Sequence, residues 1–183
     1  MTVNGFKASD IVQQLEKLGV THVVTLPDSE TSGMYRALGD SNTIHMVPIA
    51  REGEAIPIAT GLWAAGRKPV VVIQNSGVYE SGDALRGLAI GVSVPIVMFV
   101  GYRGYTRHGD TPDTAAEMLE PYLHLWRVPF YLMETSEDID RIPMAFKRAD
   151  ETSLPVAVLI GAEYAPEESE IGSTYGANMA GAK

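Results

Sequence analysis

The sequence predicts a doubly wound α/β domain, in which a mainly parallel six-stranded sheet carries helices on both faces. Short apolar runs of strand length alternate with helical patterns along the chain. The runs are nearly continuous in apolar residues, which is typical of parallel strands buried on both faces and joined by right-handed connections. The 183 residues are enough for one well-buried core.

The predicted strands are β-branched or otherwise strongly apolar, and they cover residues 20–26, 43–47, 70–74, 95–100, 129–133 and 156–160. The predicted helices lie between them, at residues 10–18, 31–38, 52–66, 81–92, 114–125 and 138–149. Asp10 is expected to cap the first helix, with Gln13 completing a capping box and Gly19 ending it. Asn75-Ser76-Gly77 reads as a turn after the third strand, and residues 101–112 as a long polar loop.

Composition restricts the class of protein. Hydrophobic residues make up 45% of the chain and charged residues 20%, as in ordinary globular proteins. The formal charge of −9, with scattered basic residues, argues against a nucleic-acid partner. There are no cysteines, and neither a secretory signal nor a membrane-length apolar run is evident, so we expect a cytoplasmic protein. Residues 1–164 are expected to form the domain, and residues 165–183 a tail or arm.

Glu52 is the leading candidate for chemistry. It opens an Ala/Gly-rich helix, where backbone can approach closely and water is scarce. Desolvation favours the protonated form of a carboxyl group, whereas the positive end of the helix dipole favours the ionised form. Acidic residues are also common in the first turn of ordinary helices, so position alone does not decide between a catalytic and a purely structural role for Glu52.

The sequence motifs of several common binding and catalytic sites are absent or incomplete in this chain. The chain has no Walker A motif and no Gly-x-Gly-x-x-Gly after its first strand. Ser76 follows a strand as a hydrolase nucleophile would, but Gln74 stands where that motif needs glycine. The four histidines lack metal-ligand spacing, so no protein-bound metal is expected. His108 shares a glycine-rich loop with Arg103 and Arg107, where a cationic cluster could meet an anionic substrate, and a solvated loop explains the pattern equally well.

Four segments together resemble the pyrimidine-binding domain of thiamine-diphosphate decarboxylases, especially the sulfopyruvate and phosphonopyruvate decarboxylase group. They are Leu26-Pro27-Asp28-Ser29, Arg51-Glu52-Gly53-Glu54-Ala55, Ile73-Gln74-Asn75-Ser76-Gly77 and Gly101-Tyr102-Arg103-Gly104. The resemblance spans most of residues 8–162. In that superfamily the activating glutamate precedes a helix glycine by nine residues, a spacing that selects Glu52 before Gly61 rather than Glu54.

The resemblance implies a role for each matched segment. Glu52 would hydrogen-bond to N1′ of the aminopyrimidine and so activate the thiazolium C2 atom. Gln74, Asn75, Ser76 and Gly77 would border the cofactor, because a glycine-bearing segment lets the main chain approach a ring. The substrate-binding candidates are Asp28, Ser29, Arg103 and His108. Asp28 and Ser29 could equally cap a helix, and Arg103 could form a surface salt link.

Half of the superfamily's cofactor site is missing. Its Mg²⁺-diphosphate motif, Gly-Asp-Gly with a later Asn-Asn pair, is absent, since the Gly-Asp pairs at Gly39, Gly82 and Gly109 are not followed by glycine. The resemblance therefore implies an α subunit of a hetero-oligomer, with Mg²⁺ bound mainly by a diphosphate-binding β subunit and the active site at their interface. The substrate would be a small anionic 2-oxo acid.

Three departures leave the substrate open: Arg51 stands where phosphonopyruvate enzymes tend to have asparagine, Gly53 breaks the acidic run of sulfopyruvate enzymes, and the C-terminal extension is unmatched. Two other readings also stay open at this stage. One is a noncatalytic α/β domain that binds a ligand or regulates a partner. The other is a thiamine-diphosphate carboligase subunit.

Overall fold

The centre of the molecule is a six-stranded sheet. A computed structural model describes residues 7–161 and places the strands at β1 (His22–Thr25), β2 (His45–Pro48), β3 (Pro69–Gln74), β4 (Val97–Gly101), β5 (Phe130–Met133) and β6 (Val156–Ile160). Their order is β2-β1-β3-β4-β6-β5, and every neighbouring pair is parallel. The predicted fold class is confirmed, with a wholly parallel sheet in place of a mainly parallel one.

Helices cover both faces of this sheet. They are α1 (Ala8–Lys17), α2 (Ser32–Gly39), α3 (Ala55–Ala64), α4 (Asn75–Glu80), α5 (Gly82–Ala84), α6 (Thr114–Leu125) and α7 (Arg141–Thr152). On one face α1, α2 and α7 bury Leu15, Leu38 and Phe146 against the strands. On the other face α3 and α6 bury Ile56 and Leu119. Each face therefore has its own apolar core, as a doubly wound domain requires.

The first helix ends as predicted but does not begin as predicted. Gly19 has a φ of +73°, and the N–H groups of Gly19 and Val20 donate to Glu16 and Leu15, which is the Schellman arrangement. The expectation of an Asp10 cap is wrong. The helix starts two residues earlier, so Asp10 lies inside the first turn, where its negative charge favours the positive helix end.

The segment after β3 differs most from expectation. Asn75-Ser76-Gly77 is not a turn but the first turn of α4, which leaves the strand without a loop. The helix expected over residues 81–92 is instead the short α5 followed by a π-helical stretch, Leu85–Ile90. Tertiary packing overrides the turn preference of Asn, Ser and Gly here.

Helix α3 has an unusual outer side. Residues 55–66 contain no charged residue, and a three-residue 3₁₀ turn, Glu52–Glu54, leads into them. Trp63 on this helix is 40% exposed, and Leu88 and Val92 of the adjoining π-helical region are 36% and 61% exposed. A surface helix that is apolar on all sides is typical of a helix that another chain covers.

No helix within residues 7–161 is long and apolar enough to cross a membrane. The predicted tail, residues 165–183, lies outside the described residues.

Candidate functional site

The carboxyl ends of the central strands form one edge of the sheet. Gln74 at the end of β3 pairs in register with Gly101 at the end of β4, and Thr25 at the end of β1 pairs with Val72. The segments that follow these strands therefore emerge side by side. Open parallel sheets bind ligands at this edge, where the strand-end loops converge.

Glu52 lies directly against the first turn of α4. A Cβ atom built on Gly77 would stand 2.5 Å from Cγ of Glu52 and 2.8 Å from its Cβ, so only glycine leaves room for this side chain. Gly77 itself is buried, and Glu52 is half-buried. The structure thus brings together Glu52 and the Asn75-Ser76-Gly77 segment, which the sequence placed in one site.

The backbone of Glu52 is fixed as well. The Ser81 hydroxyl donates a hydrogen bond of 2.8 Å to the Glu52 carbonyl oxygen, and Ser81 is buried. Gly77 and Ser81 are four residues apart and so lie on one face of the helical segment. On that face, Gly77 contacts the side chain of Glu52 and Ser81 hydrogen-bonds to the main chain of Glu52.

A second carboxylate lies beside Glu52. Arg51 donates to Oε1 of Glu80 from Nε at 2.9 Å and from its terminal NH₂ at 2.7 Å. Oε1 of Glu80 also lies 3.5 Å from a Cβ atom built on Gly53, the residue after Glu52. The bonds from Arg51 hold the pKa of Glu80 below its ordinary value. The site therefore contains a pair of carboxyl groups with one cation.

Asn75 connects two strand ends. Its buried side chain donates from Nδ2 to the Arg103 carbonyl oxygen at 2.9 Å, and its Oδ1 accepts from the Ser76 N–H at 3.0 Å. Both polar atoms are thus engaged within the protein. Gln74 and Ser76 are half-buried on either side of it, at the edge where a ligand would approach.

The polar loop after β4 is tied down by ion pairs. Arg103 donates from Nε to Asp113 at 3.0 Å, and Asp113 also caps α6 by accepting the Ala115 N–H. The Ala115 N–H and then Arg103 lower the pKa of Asp113. The surface salt link considered for Arg103 is therefore present.

Arg107 and His108 lie further along this loop. Arg107 pairs with Glu134 at 2.9 Å, on the loop after β5. His108 is exposed in a turn, next to Gly109 with its φ of +75°. Arg103 and Arg107 thus pair with different carboxylates, Asp113 and Glu134.

The loop after β1 contains a hydrogen-bonded Asp28 and several buried polar atoms without a hydrogen-bond partner. Asp28 Oδ1 accepts the Thr31 N–H at 2.7 Å, and the Ser29 carbonyl accepts the Ser32 hydroxyl. Asp28 therefore closes a turn over residues 28–31 and does not cap α2, whose N-cap residue is Thr31 and which has no side-chain cap hydrogen bond. The other carboxyl oxygen of Asp28, Oδ2, is buried without a hydrogen-bond partner among the described residues, as are the hydroxyls of Thr25 and Thr31. Such atoms at a ligand-binding edge need a water or a ligand group.

Sequence reasoning did not find Glu80 or Ser81 as site residues. Both become visible only when the helix is known to begin at Asn75, because Glu80 then lies three residues after Gly77 on the same side. The prediction of a turn at residues 75–77 concealed that spacing.

Fold and site together define a doubly wound α/β domain whose polar groups gather at the carboxyl ends of its central strands. The chain belongs to the family described as "Thiamine pyrophosphate enzyme, N-terminal TPP binding domain", whose profile matches residues 7–122. The match includes Glu52, the Gln74 to Gly77 segment and Arg103.

Several curated proteins with sequences similar to this chain are named as decarboxylases or decarboxylase subunits. The chain is 27% identical over 151 residues to the sulfopyruvate decarboxylase subunit alpha of Methanococcus maripaludis, covering 80% of this chain and 89% of that protein. With the subunit of the same name from Methanocaldococcus jannaschii the identity is 25%, over 84% of this chain and 92% of that protein. Phosphonopyruvate decarboxylase of Streptomyces viridochromogenes is 32% identical over 58% of this chain and 27% of that protein.

Proposed function

We propose that this chain is the pyrimidine-binding α subunit of a two-subunit, thiamine-diphosphate-dependent 2-oxo acid decarboxylase, with sulfopyruvate or phosphonopyruvate as its substrate. The observation that carries the proposal is the placement of Glu52 at the ligand-binding edge, against Gly77 and held by Ser81. The family and the names of the relatives give that carboxyl group its chemistry.

The residues present fit the pyrimidine half of the cofactor. A half-buried carboxyl group is available to a ring nitrogen, and the glycine beneath it permits close approach of the main chain. Gln74 and Ser76 border the same edge, while Asn75 keeps β3 and β4 together behind it. When bound, the cofactor supplies the electron sink for the electrons released with carbon dioxide.

Glu52 is assigned to proton transfer at N1′ of the pyrimidine ring. Its carboxyl group donates a proton to that nitrogen and takes it back, which an amide cannot do. The fixed main chain of Glu52 keeps this group in one place during the exchange. Positioning of this kind accounts for a large share of catalytic rate enhancement.

Arg103 is assigned to the acidic tail of the substrate. A guanidinium has five N–H donors, and the bond to Asp113 uses the one on Nε. The donors on the terminal nitrogens suit a sulfonate, phosphonate or carboxylate. Asp28, Ser29 and His108 are proposed as further substrate contacts, and the unpaired Oδ2 atom of Asp28 supports a ligand there.

The diphosphate and Mg²⁺ are assigned to a partner β subunit. The sequence lacks the Gly-Asp-Gly motif that holds them in the superfamily. The charge-free outer side of α3 begins immediately after the Glu52 turn, so a chain that covers it would also complete the site. Residues 1–164 are proposed as the domain that makes this contact.

The experiment combines this chain with a candidate diphosphate-binding chain, thiamine diphosphate and Mg²⁺. Release of carbon dioxide is followed from sulfopyruvate, phosphonopyruvate and pyruvate. We expect turnover only in the mixture, with an anionic tail preferred over pyruvate. Turnover without the second chain contradicts the split site, and carbon dioxide release that yields a ligated product in place of the aldehyde points to a carboligase.

Glu52→Gln tests the catalytic assignment, with Glu54→Gln as its matched control. Glu54 is exposed and accepts the Ala50 N–H at 3.2 Å, a bond that a glutamine oxygen can also accept. We expect Glu52→Gln to fold and assemble but to lose roughly 10²–10⁴-fold in kcat, because general acid–base transfer is removed. Equal activity of the two variants would exclude Glu52 as the activator.

A further inference from the structure

Two histidine rings lie side by side at the amino ends of β1 and β2, at the edge of the sheet opposite to the candidate site. His22 and His45 are direct partners in the parallel register, and their ring centroids are 5.4 Å apart. Both are on the face that α3 covers, because His22 shares its side of β1 with Val24, and His45 shares its side of β2 with Val47. The fold thus joins two titratable groups that are 23 residues apart in sequence (45 − 22).

The ring of His22 has little freedom to turn away from its neighbour. Its Nδ1 lies 2.9 Å from the Thr21 hydroxyl oxygen, which also accepts the Lys68 N–H at 2.9 Å. The side chain of His22 is half-buried, whereas that of His45 is exposed. A repulsion between the two rings therefore acts mainly on His45 and on its strand.

The charged surroundings of His22 disfavour a positive charge there. β1 packs against β2, β3 and α3, whose described residues contain one titratable side chain between them, His45. The turn from α3 to β3 adds Arg67, and also Lys68, whose ammonium lies over the Phe146 ring on the opposite face. Desolvation, followed by His45 and Arg67, lowers the pKa of His22 below its usual 6.5.

The strand on which this repulsion acts is weakly held. Within residues 7–161, β2 lies at one edge of the sheet, where β1 is its one partner. The His45 N–H donates to the Thr21 carbonyl oxygen at 2.9 Å, and the Ile49 N–H donates to the Thr25 carbonyl oxygen at 3.0 Å. Glu52 follows Ile49 by three residues (52 − 49), so the pairing of β2 also anchors the turn that contains Glu52.

We propose that His22 and His45 form a pH-sensitive switch for β2: as neutral rings they permit its pairing with β1, and when both carry a proton their repulsion loosens the strand. Each ring takes its proton from the solvent. In the unfolded chain the two rings are apart, so that state binds the second proton more readily than the folded state does. The pairing is therefore most stable above pH 6.5, the usual pKa of histidine, and weakens as the pH falls from there through the lowered pKa of His22.

The size of the effect follows from the separation of the rings. A second positive charge 5.4 Å away, largely screened by water, changes the opening equilibrium about three- to tenfold. Because β2 leads into the Glu52 turn, the loosening extends to the candidate site. The inference goes beyond the proposed function and does not depend on the activity of Glu52.

The first test is amide hydrogen exchange of the dilute full chain, read by mass spectrometry at about pH 7.5 and about pH 5 and corrected for the intrinsic pH dependence of exchange. The peptide that covers residues 45–50 reports on β2, and the peptide that covers residues 156–160 reports on β6 as an internal control. At the lower pH we expect protection of the first peptide to fall about three- to tenfold relative to the second.

Three variants assign this loss to the histidine pair. His45→Gln and His22→Gln remove one of the two charges, so the relative protection should change less than about twofold between the two pH values. His45 is exposed, and its glutamine variant is therefore expected to fold. The matched control is His124→Gln, which replaces an exposed histidine on α6 beside Phe130 and should lose protection as the wild type does.

The second test measures the pKa of His22 itself, from hydrogen exchange at the imidazole C2 position in the same chains. His45→Gln should raise this pKa toward the usual value, whereas His124→Gln should leave it unchanged. The same pKa for His22 in the wild type and in His45→Gln would overturn the inference. An acid-dependent loss of protection of residues 45–50 that is equal in the wild type and in both pair variants would overturn it too, as would a wild type without such a loss. None of these readouts involves turnover, so each result leaves the proposed function to its own experiment.

Discussion

Replacing Gly77 with alanine tests how closely Glu52 is fitted to α4. The new methyl group would stand 2.5 Å from Cγ of Glu52 and 2.8 Å from its Cβ, whereas ordinary contact begins at 3.4 Å. The first overlap of 0.9 Å (3.4 − 2.5) can be relieved by turning the side chain. The second, 0.6 Å (3.4 − 2.8), cannot, because Cβ moves only with the backbone.

These overlaps set the expected magnitude. Overpacking costs typically about 1–3 kcal/mol, and alanine returns up to about 1 kcal/mol through its better helix propensity. The net loss should be about 1–2 kcal/mol in the free energy of unfolding. A displacement of the Glu52 carboxyl group approaching 1 Å should lower kcat on the order of 10²-fold.

The assay is urea denaturation of the chain and turnover of the assembled enzyme, both compared with Gly39→Ala. Gly39 ends α2, has no atom within 4 Å of a built Cβ, and has no positive φ, so its variant should retain stability and turnover. Gly77→Ala with stability and kcat equal to Gly39→Ala would refute the close fit between Glu52 and α4.

Three further outcomes follow from the described contacts. Asn75→Ala should cost about 1–3 kcal/mol of unfolding free energy, measured in urea, because it removes a buried side chain whose Nδ2 serves the Arg103 carbonyl. Trp63→Glu should keep the stability of the isolated chain within about 0.5 kcal/mol but prevent assembly, measured by sedimentation, because it puts a charge on the apolar side of α3. Arg107 hydrogen-bonds to Glu134 and lowers the pKa of that carboxyl group below the usual 4.5, so the pair stabilises the fold at neutral pH and loses this contribution as the pH falls from about 5 to 3. The melting temperature of Arg107→Gln should therefore decrease less over this pH range than that of the wild type.

Matched variants separate these effects from general damage. Met144→Glu, on α7, replaces another apolar side chain that is 51% exposed, and it should leave assembly intact. If it blocks assembly as strongly as Trp63→Glu, the outer side of α3 is not the contact. An Asn75→Ala variant as stable as the wild type contradicts the structural role of its side chain. If the melting temperatures of Arg107→Gln and the wild type decrease equally with pH, the ion pair between Arg107 and Glu134 does not contribute to stability.

The sheet could be predicted from the sequence because each strand is a short apolar run between polar segments. Two elements, α6 and β6, have the predicted bounds, since Asp113 supplies a cap at one boundary and an uninterrupted run, residues 156–160, defines the other. Parallel topology then places the strand ends at a common edge. That is why Glu52 and Gly77, 25 residues apart in sequence (77 − 52), could be assigned to one site.

Two features could not be predicted, for different reasons. The helix that begins at Asn75 contradicts the local preference of Asn-Ser-Gly, and tertiary contacts such as the bond from buried Asn75 to the Arg103 carbonyl stabilise it. The Arg51 to Glu80 bond joins two charged residues 29 positions apart, and nothing in either segment specifies the other. Pairings of this kind are decided by the relative placement of elements, which periodicity does not encode.

The uncharged exterior of α3 has a consequence for how the protein must be produced. A lone chain presents indole and aliphatic groups to water without any lysine or glutamate along that helix to oppose contact between copies. Concentrated preparations of the single gene product should therefore self-associate and precipitate, whereas co-expression with the proposed β subunit should yield a soluble, monodisperse complex. Handling conditions for the isolated polypeptide thus follow from twelve consecutive residues, 55–66.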